Sequence, residues 1–165
     1  MEYYRGTDKY FKRYDSGMSF AFKDFGSGMY LAKDKEHAKS VALGKHGIHA
    51  YIRVYDISIE KMRNIFKIKE FKKASINWVK FIIQNRTTPR NSGYDVVIGP
   101  TADARAQDEI EKFCRMHKRK EPSIKEYKQL ISNLNPFVYS TQIVLLTQDV
   151  IDYVEDYIVN IEIIK

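Results

Sequence analysis

The sequence has little cysteine and no long apolar run. Its one cysteine, Cys114, cannot form a disulfide within the chain, which excludes a disulfide-stapled scaffold and favours a reducing compartment. Nowhere do about 18 apolar residues follow one another, so we expect no membrane span and no membrane partner. The first residues, Met1 to Arg5, lack the apolar core of a signal peptide. These absences predict a cytoplasmic protein.

Metal-ligand patterns are missing as well. His46 and His49 have a spacing that occurs in some metal sites, but no cysteine lies near them in the sequence. The chain also has no His-Glu-x-x-His motif. We therefore expect no bound metal.

Positive charge is in excess. The 165 residues include 28 Lys and Arg against 21 Asp and Glu, a net charge of +7. Such a balance permits an acidic partner such as nucleic acid, although lysine-rich compositions also occur without one. With 44% hydrophobic residues, the chain is long enough for one globular domain, residues 1–165, around a single core.

Strand and helix patterns are mixed along the chain. Strand patterns occupy residues 2–7, 28–32, 49–57, 94–98, 142–147 and 157–164. Helix patterns occupy residues 34–45, 70–85, 104–118 and 123–133. Ser123 and Glu126 have capping-box spacing, and residues 143–146 are apolar throughout, as in a strand buried on both faces. The patterns predict a single α+β domain.

The segment 24–32 is the most informative part of the sequence. Gly26 and Gly28 predict a tight turn with exposed backbone, because glycine adopts dihedral angles that other residues avoid. Tyr30 follows at the start of a strand. An open turn that ends in an aromatic ring suits the binding of a flat ligand ring.

Two further segments give this one a context. In chain order, the three are Tyr4-Arg5-Gly6-Thr7, Gly28-Met29-Tyr30-Leu31-Ala32 and Tyr139-Ser140-Thr141-Gln142-Ile143-Val144. Together they resemble the signature strands of the ADP-ribosyltransferase superfamily, in its branch of diphtheria toxin and poly(ADP-ribose) polymerases. The family patterns are aromatic-His-Gly-Ser/Thr, Gly-x-Gly-Ile-Tyr-Phe-Ala and a strand with the catalytic glutamate. The glutamate position falls on Gln142.

The resemblance spans residues 2–150 and includes two segments between the second and third motifs. Residues 78–86 and 94–103 are similar to a small bacterial branch whose members often lie beside an antitoxin. The resemblance implies an ADP-ribosyltransferase-like fold, with a central split β-sheet flanked by helices. It also implies cleavage of the bond between nicotinamide and ribose in NAD, without a metal.

The resemblance assigns roles to individual residues. It places the catalytic set at Arg5, Tyr30 and Gln142, and the NAD-binding set at Arg5, Gly6, Thr7, Gly28 and Tyr30. The Gly6 backbone and the Thr7 hydroxyl would bind the nicotinamide amide, and Tyr30 would stack on the cationic nicotinamide ring. Arg5, in the place of the family's histidine, would hold a ribose or a pyrophosphate oxygen. Gln142 would orient the nicotinamide ribose through its 2′-hydroxyl.

Gln142 is the main departure from the family pattern. An uncharged amide neither stabilises a developing cation as a carboxylate does nor acts as a general base. We therefore expect mono-ADP-ribosylation rather than chain elongation, with Asp24 or Asp103 as a candidate auxiliary acid. Asp103 is equally suited to begin a helix as its N-cap.

The sequence thus predicts an NAD-dependent mono-ADP-ribosyltransferase, the toxin of a bacterial toxin–antitoxin or defence system. Its expected partners are a cognate antitoxin and a nucleic-acid or protein acceptor. Three alternatives stay open: a domain that binds NAD without turning it over, an NAD glycohydrolase, and a nucleic-acid-binding or protein-binding module without catalysis.

Overall fold

The computed structural model of the protein describes residues 1–20, 22–102, 105–136 and 140–165. Within these ranges the strands are β1 (Glu2–Thr7), β2 (Met29–Ala32), β3 (Tyr51–Asp56), β4 (Ile68–Glu70), β5 (Val96–Gly99), β6 (Gln142–Leu145) and β7 (Ile158–Ile163). The helices are α1 (Lys35–Leu43), α2 (Ile59–Arg63), α3 (Ile76–Thr87), α4 (Ala106–Met116), α5 (Ile124–Asn133) and α6 (Gln148–Glu155). The predicted α+β class is confirmed. In the described part of the chain, no helix combines the length and apolar character that crossing a membrane requires.

The seven strands form one sheet in the order β4-β5-β6-β2-β1-β3-β7. Only β4 and β5 are parallel, and the other neighbours are antiparallel. β1 pairs with β3 along its whole length, and β2 does so with β6. Between β1 and β2, however, the single register pair is Tyr4 with Ala32. The sheet therefore opens at this boundary into two halves, and beyond Tyr4 the β2-facing edge of β1 is left to other partners.

Hydrophobic residues cover both faces of the sheet. One buried cluster packs α2 and α6 against one face, and the other packs α3, α4 and α5 against the opposite face. β6 contributes Ile143 and Leu145 to the first cluster and Val144 to the second, because successive strand side chains point to opposite faces. The prediction of a central strand buried on both faces is confirmed.

The start of α3 differs from its prediction. The helix pattern over residues 70–85 includes Phe71, but the Phe71 N–H donates to the Ile98 carbonyl oxygen at 2.8 Å and so continues the pairing of β4 with β5. α3 begins only after Ser75, whose hydroxyl accepts from the Trp78 N–H at 3.2 Å. At α5, by contrast, the predicted capping box of Ser123 and Glu126 is present.

A buried ion pair joins β3 to α6. Arg53 on β3 and Glu155 at the end of α6 lie 2.7 Å apart, with 2% and 1% of their side chains exposed. The Tyr55 hydroxyl donates to Glu155 at 2.8 Å and accepts from Arg53 at 2.7 Å. Burial raises the pKa of Tyr55, so the phenol keeps its proton in this network. The Arg53 guanidinium also donates to the Phe11 carbonyl oxygen, which ties the chain after β1 to α6.

Glu155→Gln is expected to lower the free energy of unfolding by about 3 kcal/mol, because it leaves the buried Arg53 cation without its counter-ion. Urea denaturation followed by the fluorescence of the single tryptophan, Trp78, measures the loss. As a control, Asp156→Asn removes the exposed partner of Arg13 and should cost less than about 1 kcal/mol. Equal losses in the two variants would contradict the proposed importance of the buried pair.

Candidate functional site

A cleft lies where the sheet opens between β1 and β2. It has a volume of about 240 Å³, and its walls include Arg5 and Gly6 of β1, Tyr30 of β2, Gln142 of β6 and residues of α1. A second cavity of about 620 Å³ adjoins it on the side of the segment that follows β1. Arg5, Lys23 and Lys45 line both cavities. The two therefore form one groove with cationic side chains at its middle.

The structure brings most of the predicted site residues to this groove. Arg5, Gly6, Tyr30 and Gln142 line the smaller cavity. Thr7 lines the larger one, although its hydroxyl already accepts from the Lys9 N–H at 3.2 Å.

Two predicted residues do not line the groove, and a third is not described. Gly28 and Asp24 are buried beside the groove and are not part of its lining. Asp103 lies outside the described residues. α4 begins after Arg105, whose side chain makes no capping hydrogen bond.

Arg5 is held in place from two sides. Its guanidinium carbon lies 4.4 Å from the centre of the Tyr14 ring, and Nη1 donates to the Tyr30 carbonyl oxygen at 3.3 Å. Its Nε is buried and has no hydrogen-bond partner among the described residues. Arg53 is the register partner of Arg5 on β3, and the nearby carboxylate of Glu155 is bound to Arg53. Burial lowers the pKa of Arg5, so the groove holds a desolvated cation with an unused donor.

The Tyr30 ring is fixed by its hydroxyl. The hydroxyl donates to the Gly26 carbonyl oxygen at 2.7 Å and accepts from the Phe25 N–H at 3.0 Å. Gly26 has a φ of +103°, a conformation that favours glycine, and its N–H donates to the Lys23 carbonyl oxygen at 3.3 Å, so the predicted tight turn is present. The expectation that the backbone of this turn is exposed is wrong, because Gly26 and Gly28 are buried. The Lys23 ammonium lies 4.9 Å from the centre of the ring. Burial raises the pKa of Tyr30 well above its ordinary value, and the residue presents a neutral ring to the cleft.

Two lysines, Lys23 and Lys45, add to the positive charge of Arg5 in the groove. The sequence analysis did not identify them. Burial, followed by repulsion from Arg5 and Lys45, lowers the pKa of Lys23 from 10.5 to about 8. Burial and the charge of Arg5 lower the pKa of Lys45 as well, and Asp8 lies 3.8 Å from its ammonium. The charge of Arg5 disfavours the charged forms of both lysines, and a bound anion would relieve that repulsion. The groove is therefore suited to an anionic group such as a phosphate.

Gln142 is buried and donates from Nε2 to Asp24 at 3.3 Å and to the Pro100 carbonyl oxygen at 3.5 Å. Asp24 in turn forms an ion pair with Arg86 of α3 at 2.7 Å. The hydrogen bond to Gln142 therefore links the Asp24 side chain to the cleft wall.

The glycines of the predicted NAD-binding set are explained by packing. A β-carbon on Gly6 would lie 1.9 Å from the Ala38 carbonyl oxygen of α1, and one on Gly28 would lie 2.4 Å from the Leu145 carbonyl oxygen of β6. Both contacts are too short for any side chain. Gly6 thus lets α1 pack directly on β1 at the rim of the cleft.

A protein-family model matches most of the chain. The family described as "Protein of unknown function (DUF3990)" matches residues 1–155. The chain belongs to this family. The matched residues run from β1 through α6 and include every residue named at the groove. No curated protein and no solved structure matches the chain significantly.

The described residues contain a second region that could hold a ligand. A separate cavity of about 240 Å³ lies between α4 and α5, beside Phe113, His117 and Leu130, and contains none of the predicted site residues. Among the described residues, no group of three or more His, Cys, Asp or Glu side chains is arranged to hold a metal ion. Among the described cavities, the groove between β1 and β2 is the one that the predicted residues Arg5, Tyr30 and Gln142 line.

Lys23→Met is expected to stabilise the folded protein at about pH 7, and the gain should shrink as the pH rises from about 8 towards 10.5. The reason is that the folded-state pKa of Lys23 lies below its unfolded value. The cost of burying the charge is complete below the folded pKa and disappears once the unfolded lysine is also neutral. Melting temperatures of the variant and the wild type across this range give the difference. The exposed Lys39→Met serves as control, and a gain for Lys23→Met that does not depend on pH would argue against a desolvated ammonium.

Proposed function

We propose that the protein is an NAD-dependent mono-ADP-ribosyltransferase. The observation that carries the proposal is the convergence of Arg5, Tyr30 and Gln142, from three separate strands, on one cleft. These are the positions at which the sequence resembles the signature strands of the superfamily. The opening of the sheet between β1 and β2 supports the split-sheet form of the fold, to which we assign the chain.

The shape and charge of the groove support NAD as the substrate. NAD consists of two nucleosides joined by a diphosphate, and the groove consists of two cavities joined at Arg5, Lys23 and Lys45. We place the diphosphate at these cations, where the buried Nε of Arg5 gains an acceptor. The nicotinamide then lies in the smaller cavity against the Tyr30 ring, and the adenosine lies in the larger one, beside Phe11 and Tyr14. The larger cavity, of about 620 Å³, has the volume of an ordinary ligand site, and the smaller one extends it.

The reaction breaks the bond between the nicotinamide nitrogen and C1′ of the ribose. Nicotinamide leaves with the bonding electrons as a neutral molecule, positive charge develops on the ribose, and a nucleophilic atom of the acceptor bonds to C1′ and releases its proton to solvent. Gln142 orients the ribose by accepting from the 2′-hydroxyl. Because an amide carries no charge, the protein contributes mainly binding and orientation, which can lower the barrier by several kcal/mol. A single transfer per acceptor fits this limited catalytic equipment.

The proposal includes a biological role as the toxin of a toxin–antitoxin or defence system. This part is supported by the resemblance of residues 78–86 and 94–103 to a bacterial branch of the superfamily. The acceptor is a nucleic acid or a protein. The net charge of +7 favours a nucleic acid, since lysine and arginine attract the phosphates that flank an acceptor base.

Tyr30→Ala is expected to weaken NAD binding by about tenfold or more, because it removes the ring against which the nicotinamide stacks. Tyr30→Phe keeps the ring and should bind more tightly than Tyr30→Ala. Tyr157→Ala, which removes an exposed tyrosine outside the groove, should leave binding unchanged. Isothermal titration with NAD gives the affinities of the four proteins. Equal affinities for wild type and Tyr30→Ala, or no binding by either, would contradict the proposal.

A second assay separates transfer from the alternative functions. The protein is incubated with radioactive NAD and whole-cell extract, and RNA, DNA and protein are then separated. Label in one fraction supports the transferase and identifies its acceptor class. Nicotinamide release with water as the sole acceptor indicates a glycohydrolase. Salt-sensitive binding of RNA or DNA without nicotinamide release indicates a nucleic-acid-binding module.

A further inference from the structure

A buried polar cluster lies directly behind the cleft wall. It consists of Asp24, the side chains of Asn85 and Arg86 from the last turns of α3, and Gln142 from the start of β6. Asp24 and Gln142 are each 6% exposed. Gln142 alone among these four residues lines the cleft. The cluster therefore has one outlet to the ligand, and that outlet is the amide of Gln142.

The contacts of Gln142 determine which way its amide faces. The groups that receive its two hydrogen bonds, a carboxylate oxygen of Asp24 and the Pro100 carbonyl oxygen, are both acceptors. A carbonyl oxygen has no proton to donate, so the amide nitrogen must point towards them. Both Nε2 protons are then committed to the protein. The atom that Gln142 offers to the cleft is its acceptor, Oε1.

Asp24 is itself fixed on three sides. Its Oδ1 accepts from Arg86 Nε at 2.7 Å, and Arg86 also donates to Gln107 of α4 at 3.1 Å. Its main-chain oxygen accepts from the Asn85 side chain at 3.2 Å. The next residues of the turn are held by the Tyr30 hydroxyl. A carboxylate that is held so firmly at Oδ1 can present Oδ2 to Gln142 in one direction only.

We propose that Asp24 is the positioning residue of Gln142. By accepting from Nε2, its carboxylate keeps Oε1 turned towards the ribose of NAD. A charge-assisted hydrogen bond from an amide N–H also draws electron density to the amide oxygen, which makes Oε1 a stronger acceptor. The Asp24–Gln142 pair thus takes over part of the task of the glutamate that the superfamily has at the position of Gln142. This inference rests on the proposed function.

Asp24 is then a positioning residue and not the auxiliary acid that the sequence suggested. An auxiliary acid must touch the reacting atoms, whereas Asp24 is separated from the cleft by Gln142 and bound to Arg86. Asp24 therefore acts through another residue. Its effect should appear in the rate of NAD cleavage more than in the binding of NAD.

Two single variants and their combination test the proposal. In Asp24→Asn, the new amide has one acceptor oxygen for two donors, Arg86 and Gln142, so the orientation of Gln142 is lost. We expect the rate of nicotinamide release to fall by about tenfold or more, with a smaller change in the KM for NAD. Gln142→Glu places two carboxylates in contact, and the pH profile of the rate should shift upwards because one of them then holds a proton.

The double variant Asp24→Asn/Gln142→Glu exchanges the amide and the carboxylate. The asparagine oxygen accepts from Arg86 and its nitrogen donates to the new glutamate, so the contact between positions 24 and 142 is paired again and the net charge is unchanged. The Pro100 carbonyl oxygen loses its bond from position 142 and keeps the Trp78 indole N–H as donor. We expect nicotinamide release to return at least to the wild-type rate. If Asp24 merely stabilised the turn, Asp24→Asn would slow the Gln142→Glu protein by the same factor as it slows the wild type. Asp108→Asn, an exposed change on α4, is the matched control.

The outcomes separate this inference from the proposed function. A wild-type protein that neither binds NAD nor releases nicotinamide refutes the proposed function. An active wild type with an Asp24→Asn variant of equal rate refutes only the role of Asp24, as does a double variant without recovery. Should the variants not fold, NMR of the wild type decides: the Gln142 side-chain amide protons are expected to exchange with solvent more slowly than those of the exposed Gln129, and equal exchange would overturn the inference.

Discussion

The structure depends on the separation of β1 from β2 after a single register pair. If the two strands paired along their length, the sheet would be continuous and the cleft would not exist. α1 contributes to the rim of the opening, where its backbone approaches Gly6 so closely that no side chain fits between them. The edge of β1 beyond Tyr4 therefore faces a cavity instead of a neighbouring strand. A sheet edge in this position offers backbone donors and acceptors to a ligand.

The opening concentrates positive charge in a partly desolvated space. Burial lowers the pKa of Arg5, Lys23 and Lys45, and the charge of Arg5 lowers the pKa of the two lysines further. Such an arrangement does not favour folding, and clusters of strongly perturbed groups occur preferentially at functional sites. On the same half-sheet, Arg53 has a buried carboxylate partner in Glu155. The contrast between a compensated structural arginine and a partly uncompensated Arg5 at matched positions of β1 and β3 is the clearest electrostatic sign of a ligand.

Sequence patterns predicted the regular elements that have strong signals. β6 was recognised because its apolar run must be buried on both faces, and α5 was recognised from the capping pair Ser123 and Glu126. Short elements were missed: α6 has eight residues, α2 has five and β4 has three, all fewer than the roughly 11 residues over which a period is read. The predicted start of α3 is too early, because the apolar Phe71 fits a helical period. In the structure its N–H pairs with β5.

The candidate site was predictable to a similar extent. Arg5, Tyr30 and Gln142 were named from three motifs in order, and the structure places them at one cleft. Lys23 and Lys45 were not, because among 28 basic residues nothing local distinguishes a cation that tertiary packing will bury. The contact of Asp24 with Gln142 spans 118 positions and depends on how β6 and the turn before β2 meet. Pairings of this kind are decided by topology, which local patterns do not contain.

The proposed function requires that the opening between β1 and β2 binds NAD. A crystal structure of the protein with NAD, or with NAD products formed in the crystal, tests it most directly. We expect density for the ribose 2′-hydroxyl at Gln142 and for the diphosphate at Arg5. If NAD is intact, we also expect density for the nicotinamide ring against Tyr30; if it has been cleaved, that position is empty. Density for the dinucleotide in the cavity between α4 and α5, or a cleft that stays empty at saturating NAD, would contradict it.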